Sequence, residues 1–344
     1  MLQRIWYNSV KIYIGLILFF YYKKIIAVGK ENIPKKGSVL FVSNHKNALI
    51  DPLLIGTISP RDIHFLTRAS AFKIKFVKWI LGTVNMMPIY RMRDGKEALA
   101  KNEEIFQQCF SILKREKCLL IFPEGTHDLR RWVRPLSKGF TRIVFGFLEE
   151  HPETDLHIVP IGLNYTEATK FAESVSVYFG KSILANSFYD KNDINTSTNT
   201  LKDTVTAEMK KLTAHVPIDH YEEIIQKLGN VNFLDPKEAN QRIIEVENGN
   251  SFEESPKEPS NLWKIGKGLF YINSIIPIQI YNLIKPKIKE EEFISTTKFA
   301  IGATAFPLFY MLQIIAVNHF FGTTPALLYA AFSLLLALFV AKTK

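Results

Sequence analysis

A chain of 344 residues, 47% hydrophobic and 22% charged, is long and apolar enough to bury a real core, which excludes a disordered protein. Its net charge of +10 fits an anionic membrane surface, anionic substrates or nucleic acid alike, because one long-range field attracts all three. Cys109 and Cys118 have no second Cys or His pair at ligand spacing, which supports neither a disulfide framework nor a zinc site and fits a reducing cytosol.

The chain opens with Arg4 and Lys11, then an apolar run over 12–22, then Lys23 and Lys24. The pattern mimics a signal peptide, but no small-residue cleavage site follows, and the run is shorter than the roughly 20 apolar residues of a spanning helix. The expectation is a retained helix over 1–30 lying in the membrane interface, with Trp6 and the tyrosines at headgroup depth.

From 38 to 180 short apolar runs alternate with longer amphipathic ones. Strands are expected at 39–43, 63–66, 84–89, 118–122, 157–161 and 175–179, and helices at 52–58, 72–81, 95–116, 140–149 and 201–215. This alternation predicts an α/β domain over 31–220, a central sheet flanked by helices. The run 186–199, dense in Asn, Ser, Thr and Asp, reads as an exposed loop.

Residues 221–298 read as a linker and interfacial segment. Within them 245–260 is polar and linker-like, and 262–284 is apolar but interrupted by Lys264, Lys267 and Pro277, better suited to lie on or re-enter a membrane than to cross it. The runs 299–321 and 324–340 lack Asp, Glu, Lys and Arg and are joined by Gly322, Thr323 and Pro325. They predict a C-terminal transmembrane helical hairpin over 299–344. Lys285, Lys287, Lys289 and Lys298 precede it and Lys342 and Lys344 follow it, so the positive-inside bias places both ends, and the α/β domain, in the cytoplasm.

Chemistry is densest in Ser43-Asn44-His45-Lys46-Asn47-Ala48-Leu49-Ile50-Asp51-Pro52, directly after an expected strand. Moving an acyl group from a thioester to an alcohol needs a base for the hydroxyl proton, and histidine, with an ordinary pKa of about 6.5, suits that work. Asp51 could orient the ring as the buried carboxylate of a triad does. Asp followed by Pro is equally the signature of a helix start, with Asp51 as cap and Pro52 in the first turn. On this segment alone both readings stand.

Three further blocks lie at or just past expected strands: Met87-Pro88-Ile89-Tyr90-Arg91, Phe122-Pro123-Glu124-Gly125-Thr126 and Ile158-Val159-Pro160-Ile161-Gly162. In open α/β sheets ligands bind beyond the carboxyl ends of strands, so the four blocks can converge on one crevice. In this order, over about residues 35–185, they resemble the glycerolipid acyltransferase superfamily, which includes 1-acylglycerol-3-phosphate acyltransferases.

The resemblance implies an O-acyltransferase of phospholipid biosynthesis. The donor would be acyl-CoA or acyl-carrier protein, the acceptor lysophosphatidic acid or a related glycerol phosphate, with no cofactor and no metal. It implies His45 as general base, Asp51 as its partner, and Asn44, Arg91, Glu124, Gly125 and Pro160 as substrate-binding residues, Pro160 in the donor half. Five residues separate His45 from Asp51, one more than the common family spacing and like branches that resemble glycerol-3-phosphate acyltransferases. The acceptor therefore stays open between lysophosphatidic acid, glycerol 3-phosphate and another lyso-lipid.

Arg91 offers a planar fork of donors matched to phosphate, whereas Arg68 and Arg93 read as solvated surface facing anionic headgroups. Glu124 repels anions and is expected to hold the Gly125 turn instead. Lys138-Gly139 resembles a helix start with a cation beside it, and His127-Asp128 falls in a charged stretch that reads as exposed loop. The expected partners are membrane lipids and the acyl donor; no motif indicates nucleic acid. A transporter is disfavoured by only two confident spans, and a membrane scaffold is the non-enzyme alternative.

Overall fold

A computed structural model describes residues 2–90, 95, 97, 100–253 and 258–344. Helix α1 (Leu2–Tyr21) leads into β1 (Lys24–Val28) and β2 (Ser38–Ser43), followed by α2 (Ile50–Ile58), β3 (Ile63–Arg68), α3 (Lys75–Thr83) and β4 (Met86–Ile89). Then come α4 (Asn102–Lys114), β5 (Cys118–Ile121), α5 (Gly139–Glu150), β6 (Leu156–Tyr165), β7 (Ser174–Phe179), β8 (Ile183–Leu184) and α6 (Ile194–Leu212).

The strands form one mixed sheet in the order β1-β7-β6-β2-β5-β3-β4, with β8 pairing on β6. The five from β6 to β4 are parallel, while β7 and β8 run antiparallel to β6, and β1 follows β7. β2 and β5 are buried along their whole length, which is why they read as unbroken apolar runs: helices cover both faces of a parallel sheet. Successive residues serve opposite layers. Leu40 and Val42 pack with Leu113, Phe140 and Leu201, and Val39 and Phe41 pack with Leu18, Ile50 and Leu54.

Two expectations are corrected here. β1 forms inside 1–30, where the sequence predicts only a helix, because its five residues sit directly behind an apolar helix. In α1, the helix expected at a membrane interface, Tyr7, Leu18 and Tyr21 are buried against the domain, while Leu2, Ile5, Trp6, Ile12, Leu16 and Phe19 are exposed. The expected loop 186–199 is helical from Ile194, because Asp193 accepts the Thr196 N–H at 3.0 Å and Ser197 and Thr198 are buried. Such a cap stabilises a helix start by about 1 kcal/mol, and burial of Leu201, Val205 and Met209 further along offsets the rest of the poor propensity of the Asn and Thr residues behind it.

The start of the expected linker is also folded. Helices α7 (Tyr221–Lys227) and α8 (Pro236–Glu247) enclose a small core of Val216, Ile224, Leu228, Ile243 and Val246. Asn240 of α8 donates to the carbonyls of Lys210 and Thr213 and accepts the His215 N–H, so this unit is fastened to the end of α6.

Then follow α9 (Asn261–Asn273), α10 (Ile275–Ile284), α11 (Glu292–Ala303), α12 (Ala305–Phe321) and α13 (Thr323–Lys342). Two stretches, Glu292–Phe321 and Thr323–Lys342, are long and apolar enough to cross a membrane, and Gly322 turns between them with φ +86°. α9 docks on α13, with Trp263 Nε1 donating to the Val340 carbonyl at 3.0 Å. α11 buries Ser295, Phe299 and Ile301, so the first residues of the expected 299–321 span serve packing on the α/β domain.

Candidate active site

Because β2, β5, β3 and β4 are parallel neighbours, the chain leaves all four at one edge of the sheet. β2 delivers Asn44, His45 and Lys46, β5 delivers Phe122 to Gly125, β3 ends on Arg68, and β4 leads to Tyr90. This is the edge at which such sheets bind ligands.

His45 Nδ1 lies 2.8 Å from Asp51 Oδ2. The same oxygen accepts the backbone N–H of Lys46 at 2.7 Å and of Asn47 at 2.8 Å, and Oδ1 accepts the hydroxyl of Tyr165. Asp51 is fully buried, and a buried carboxylate is tolerated only when saturated in this way. Against an acceptor of that kind Nδ1 must carry the hydrogen, which leaves the lone pair on Nε2. α2 begins at Ile50 with Leu49 in the cap position and no side-chain cap bond. Asp51 therefore turns back to the histidine rather than capping the helix.

The imidazole is held on its other sides by rings. It stacks on Phe122 with centroids 3.9 Å apart and planes at 15°, and His127 meets it edge-on at 4.2 Å. Its side chain is 12% exposed, so the ring is clamped but reachable.

Glu124 is buried and binds the turn from behind. Its Oε2 accepts the His45 N–H at 3.3 Å and its Oε1 the Arg134 N–H at 3.1 Å. Burial pushes this carboxyl up to about 7, against the pull of Lys46 and of the two N–H donors. Lys46 is buried in turn and donates to the carbonyls of Arg130 and Trp132. Burial lowers its ammonium to about 8, while Glu124 and Asp128 favour its charge.

The other residues singled out in the sequence divide. Gly125 adopts φ +74° and its N–H donates to the Phe122 carbonyl; a Cβ there would meet nothing within 4 Å, so conformation rather than space calls for glycine. Asn44 and Pro160, expected to bind substrate, both lie buried in the framework of the sheet. Asn44 is fully buried and exchanges both amide hydrogen bonds with the Leu163 backbone, at 3.1 and 2.8 Å. Pro160 is buried in β6 opposite Val42. Arg91 lies outside the described residues, but the chain just before it is fixed: Asn102 exchanges hydrogen bonds with the N–H and carbonyl of Tyr90 at 3.0 and 2.8 Å. Lys138 is exposed at the start of α5, beside the Pro123 turn.

The segment 126–134 corrects the loop expectation, because it folds onto the site. The Asp128 N–H donates to the His45 carbonyl at 3.1 Å. Arg131 donates to the carbonyls of Tyr165 and Thr166 at 2.6 and 2.7 Å, and Arg134 donates to the carbonyl and hydroxyl of Thr126. Tyr165, His127 and Arg134 thus contact the candidate site, at Asp51, His45 and Glu124, in ways the sequence does not announce. The one usable signal was that Tyr165 continues the strand of the Ile161-Gly162 block. Among the described residues no group of three or more His, Cys, Asp or Glu side chains could hold a metal ion.

Residues 24–164 match the family model described as Acyltransferase. Over 160 residues the chain is 28% identical to 1-acyl-sn-glycerol-3-phosphate acyltransferase of Borreliella burgdorferi, spanning 46% of this chain and 58% of that protein. Over 79 residues it is 34% identical to glycerol-3-phosphate O-acyltransferase 1 of Saccharomyces cerevisiae, spanning 23% of this chain and 10% of that protein. The chain thus spans less than two thirds of either relative. The crystal structure of the 1-acyl-sn-glycerophosphate (LPA) acyltransferase of Thermotoga maritima aligns with 60% of this chain and 82% of that one, at 17% identity and a TM-score of 0.43.

Proposed function

We propose, from the premise that residues 24–164 form a domain of the glycerolipid acyltransferase superfamily, that this chain transfers a fatty acyl group from an acyl thioester to a hydroxyl of lysophosphatidic acid. The observation that carries the reading is the His45–Asp51 pair at 2.8 Å, which fixes the tautomer and leaves Nε2 available as a base. Nε2 takes the proton of the acceptor hydroxyl as its oxygen attacks the thioester carbonyl carbon. The tetrahedral oxyanion then collapses, the C–S bond breaks, and the thiolate leaves with the proton returned by His45. The thioester is already activated, so no enzyme nucleophile is needed.

Arg91 is assigned the acceptor's phosphate, with Arg68 at the end of neighbouring β3 as a second cation. Acyl-CoA and acyl-carrier protein both fit as donors. Glycerol 3-phosphate is the second acceptor, favoured by the five-residue spacer between His45 and Asp51 and by the similarity to the yeast protein.

The hairpin anchors the domain, because a lipid product is best made at the interface. Both of its ends are tied to the domain: Lys298 Nζ donates to the Thr169 carbonyl, and Lys342 Nζ to those of Phe19 and Tyr22. These ties support a domain on the same face of the membrane as the hairpin ends, and the lysine bias favours the cytoplasmic face.

The test is acyl transfer by membranes containing wild type or His45→Ala, supplied with labelled acyl-CoA or acyl-carrier protein and with lysophosphatidic acid or glycerol 3-phosphate. Wild type is expected to label lysophosphatidic acid and His45→Ala to label nothing. Labelling of glycerol 3-phosphate alone would move the acceptor, and an active His45→Ala would remove the base from the mechanism.

A further inference from the structure

We infer that the first turn of α11, through Phe293, walls the acyl-transfer site and positions His127 against the His45 ring, so that the membrane hairpin is part of the site rather than only its anchor. The inference rests on the acyl-transfer reading.

Phe293 lies one residue inside α11, at the foot of the stretch Glu292–Phe321 that is apolar enough to cross a membrane. Its ring meets His127 edge-on, with centroids 5.7 Å apart and planes at 85°. His127 in turn meets His45 at 4.2 Å. The guanidinium carbon of Arg68 lies 5.0 Å from the Phe293 centroid. One side chain from α11 thus contacts both the residue that ends β3 and one that follows β5 at the site edge.

α11 is seated on the His45–Asp51 turn itself. Thr296 Oγ1 accepts the Leu49 N–H at 3.2 Å. The Ala168 carbonyl accepts both Ser295 Oγ at 2.6 Å and the side chain of Asn47 at 2.8 Å. Two of the five residues between His45 and Asp51 are therefore held, directly or through one carbonyl, by the helix that continues into the hairpin. Below them Phe299 is buried and packs edge-on to Tyr21 at 5.9 Å, which fixes the helix against α1.

The chemical consequence is orientation. Asp51 fixes the imidazole at Nδ1 and Phe122 fixes one face, but neither determines where His127 stands. Without the Phe293 ring, His127 loses one ring contact and the His45 side chain becomes more open to water. Small misplacements of a base are costly, on the order of 100-fold in rate for about 1 Å.

The experiment uses the full chain in membranes and compares wild type, Phe293→Ala, Phe293→Tyr and Phe320→Ala at equal membrane content. Phe320 is exposed at the opposite end of α12 and controls for general damage to the hairpin. Two readouts are taken: kcat and KM for the acceptor, and the rate at which diethyl pyrocarbonate labels His45, quantified on its peptide. Phe293→Ala is expected to lower kcat roughly tenfold to 100-fold with little change in KM and to label His45 several-fold faster. Phe293→Tyr is expected to restore both, and Phe320→Ala to match wild type. Unchanged labelling in Phe293→Ala overturns the proposal, as does an equal loss in Phe320→Ala. If wild type acylates no acceptor, the acyl-transfer reading fails by itself, and the labelling rates still decide whether Phe293 walls the site.

Discussion

Tyr165 donates its hydroxyl to the oxygen of Asp51 that His45 leaves free. Both side chains are buried, so the carboxylate has no water to replace a lost donor. Tyr165→Phe is expected to leave Asp51 Oδ1 unsatisfied, at about 1–3 kcal/mol, seen as a lower melting temperature and roughly tenfold slower turnover. Asp51→Asn is expected to be far worse, on the order of 10,000-fold, because an amide can present the wrong tautomer partner to Nδ1. Equal rates for Tyr165→Phe and wild type would show that the histidine's orientation does not depend on that hydroxyl.

The buried Glu124 and Lys46 predict a narrow pH window. Glu124 holds the N–H groups of His45 and Arg134 best as a carboxylate, which burial raises to about 7. Lys46 holds its two carbonyls best as an ammonium, which burial lowers to about 8. Lowering the pH through 7 protonates Glu124, raising it through 8 discharges Lys46, and each step loosens the His45 turn. Turnover is expected to be greatest between these values and to fall on both sides. Lys46 is the largest influence lowering the Glu124 value, so Lys46→Met is expected to move the acid limb upward. A pH–rate profile of that variant with an unmoved acid limb would separate the two charges.

How much of this was legible in the sequence depended on the range of the interactions. The apolar runs of β2, β5 and β6 announce themselves because parallel strands covered on both faces need no polar alternation. The hairpin is equally plain from two uncharged runs around Gly322. His45 and Asp51 could be paired because they lie on one turn. Tyr165 could not, since only the β2–β6 pairing brings it to Asp51, and Phe293 could not, since 247 residues separate the Leu49–Thr296 contact that seats its helix. Asn44 shows the reverse: a polar residue beside the candidate base looks available to substrate, but its amide spends both hydrogen bonds on the Leu163 backbone.

Stability is expected to fall in mild acid through His215. Its Nδ1 accepts the Val133 N–H at 2.9 Å, which only the neutral ring can do, and burial together with Lys210 lowers its value to about 4. With the folded value below the ordinary value of about 6.5, the unfolded chain binds the proton first. The stabilisation is therefore complete above about 6.5 and is lost as the pH falls towards 4. After discounting for partial exposure it amounts to on the order of 1–2 kcal/mol. Melting temperatures in one detergent between pH 8 and 5 should decline for wild type and decline less for His215→Gln; parallel curves would assign the acid sensitivity elsewhere.

Gly162 closes the Pro160-Ile161-Gly162 block, which by sequence belongs to the site, yet the structure gives it a packing role. β6 passes so close to the end of α6 that a Cβ on residue 162 would stand 2.0 Å from the Leu212 carbonyl oxygen and 2.7 Å from Leu212 Cβ. A backbone oxygen cannot swing aside as a side chain does, and that same carbonyl accepts Asn164 Nδ2 at 2.9 Å. Gly162→Ala must therefore push α6 off the sheet, at about 1–3 kcal/mol or more. The cost should appear as a lower melting temperature and less folded protein in membranes, with KM for donor and acceptor unchanged in the fraction that folds. A variant of normal stability with a raised donor KM would instead place residue 162 in contact with the acyl donor.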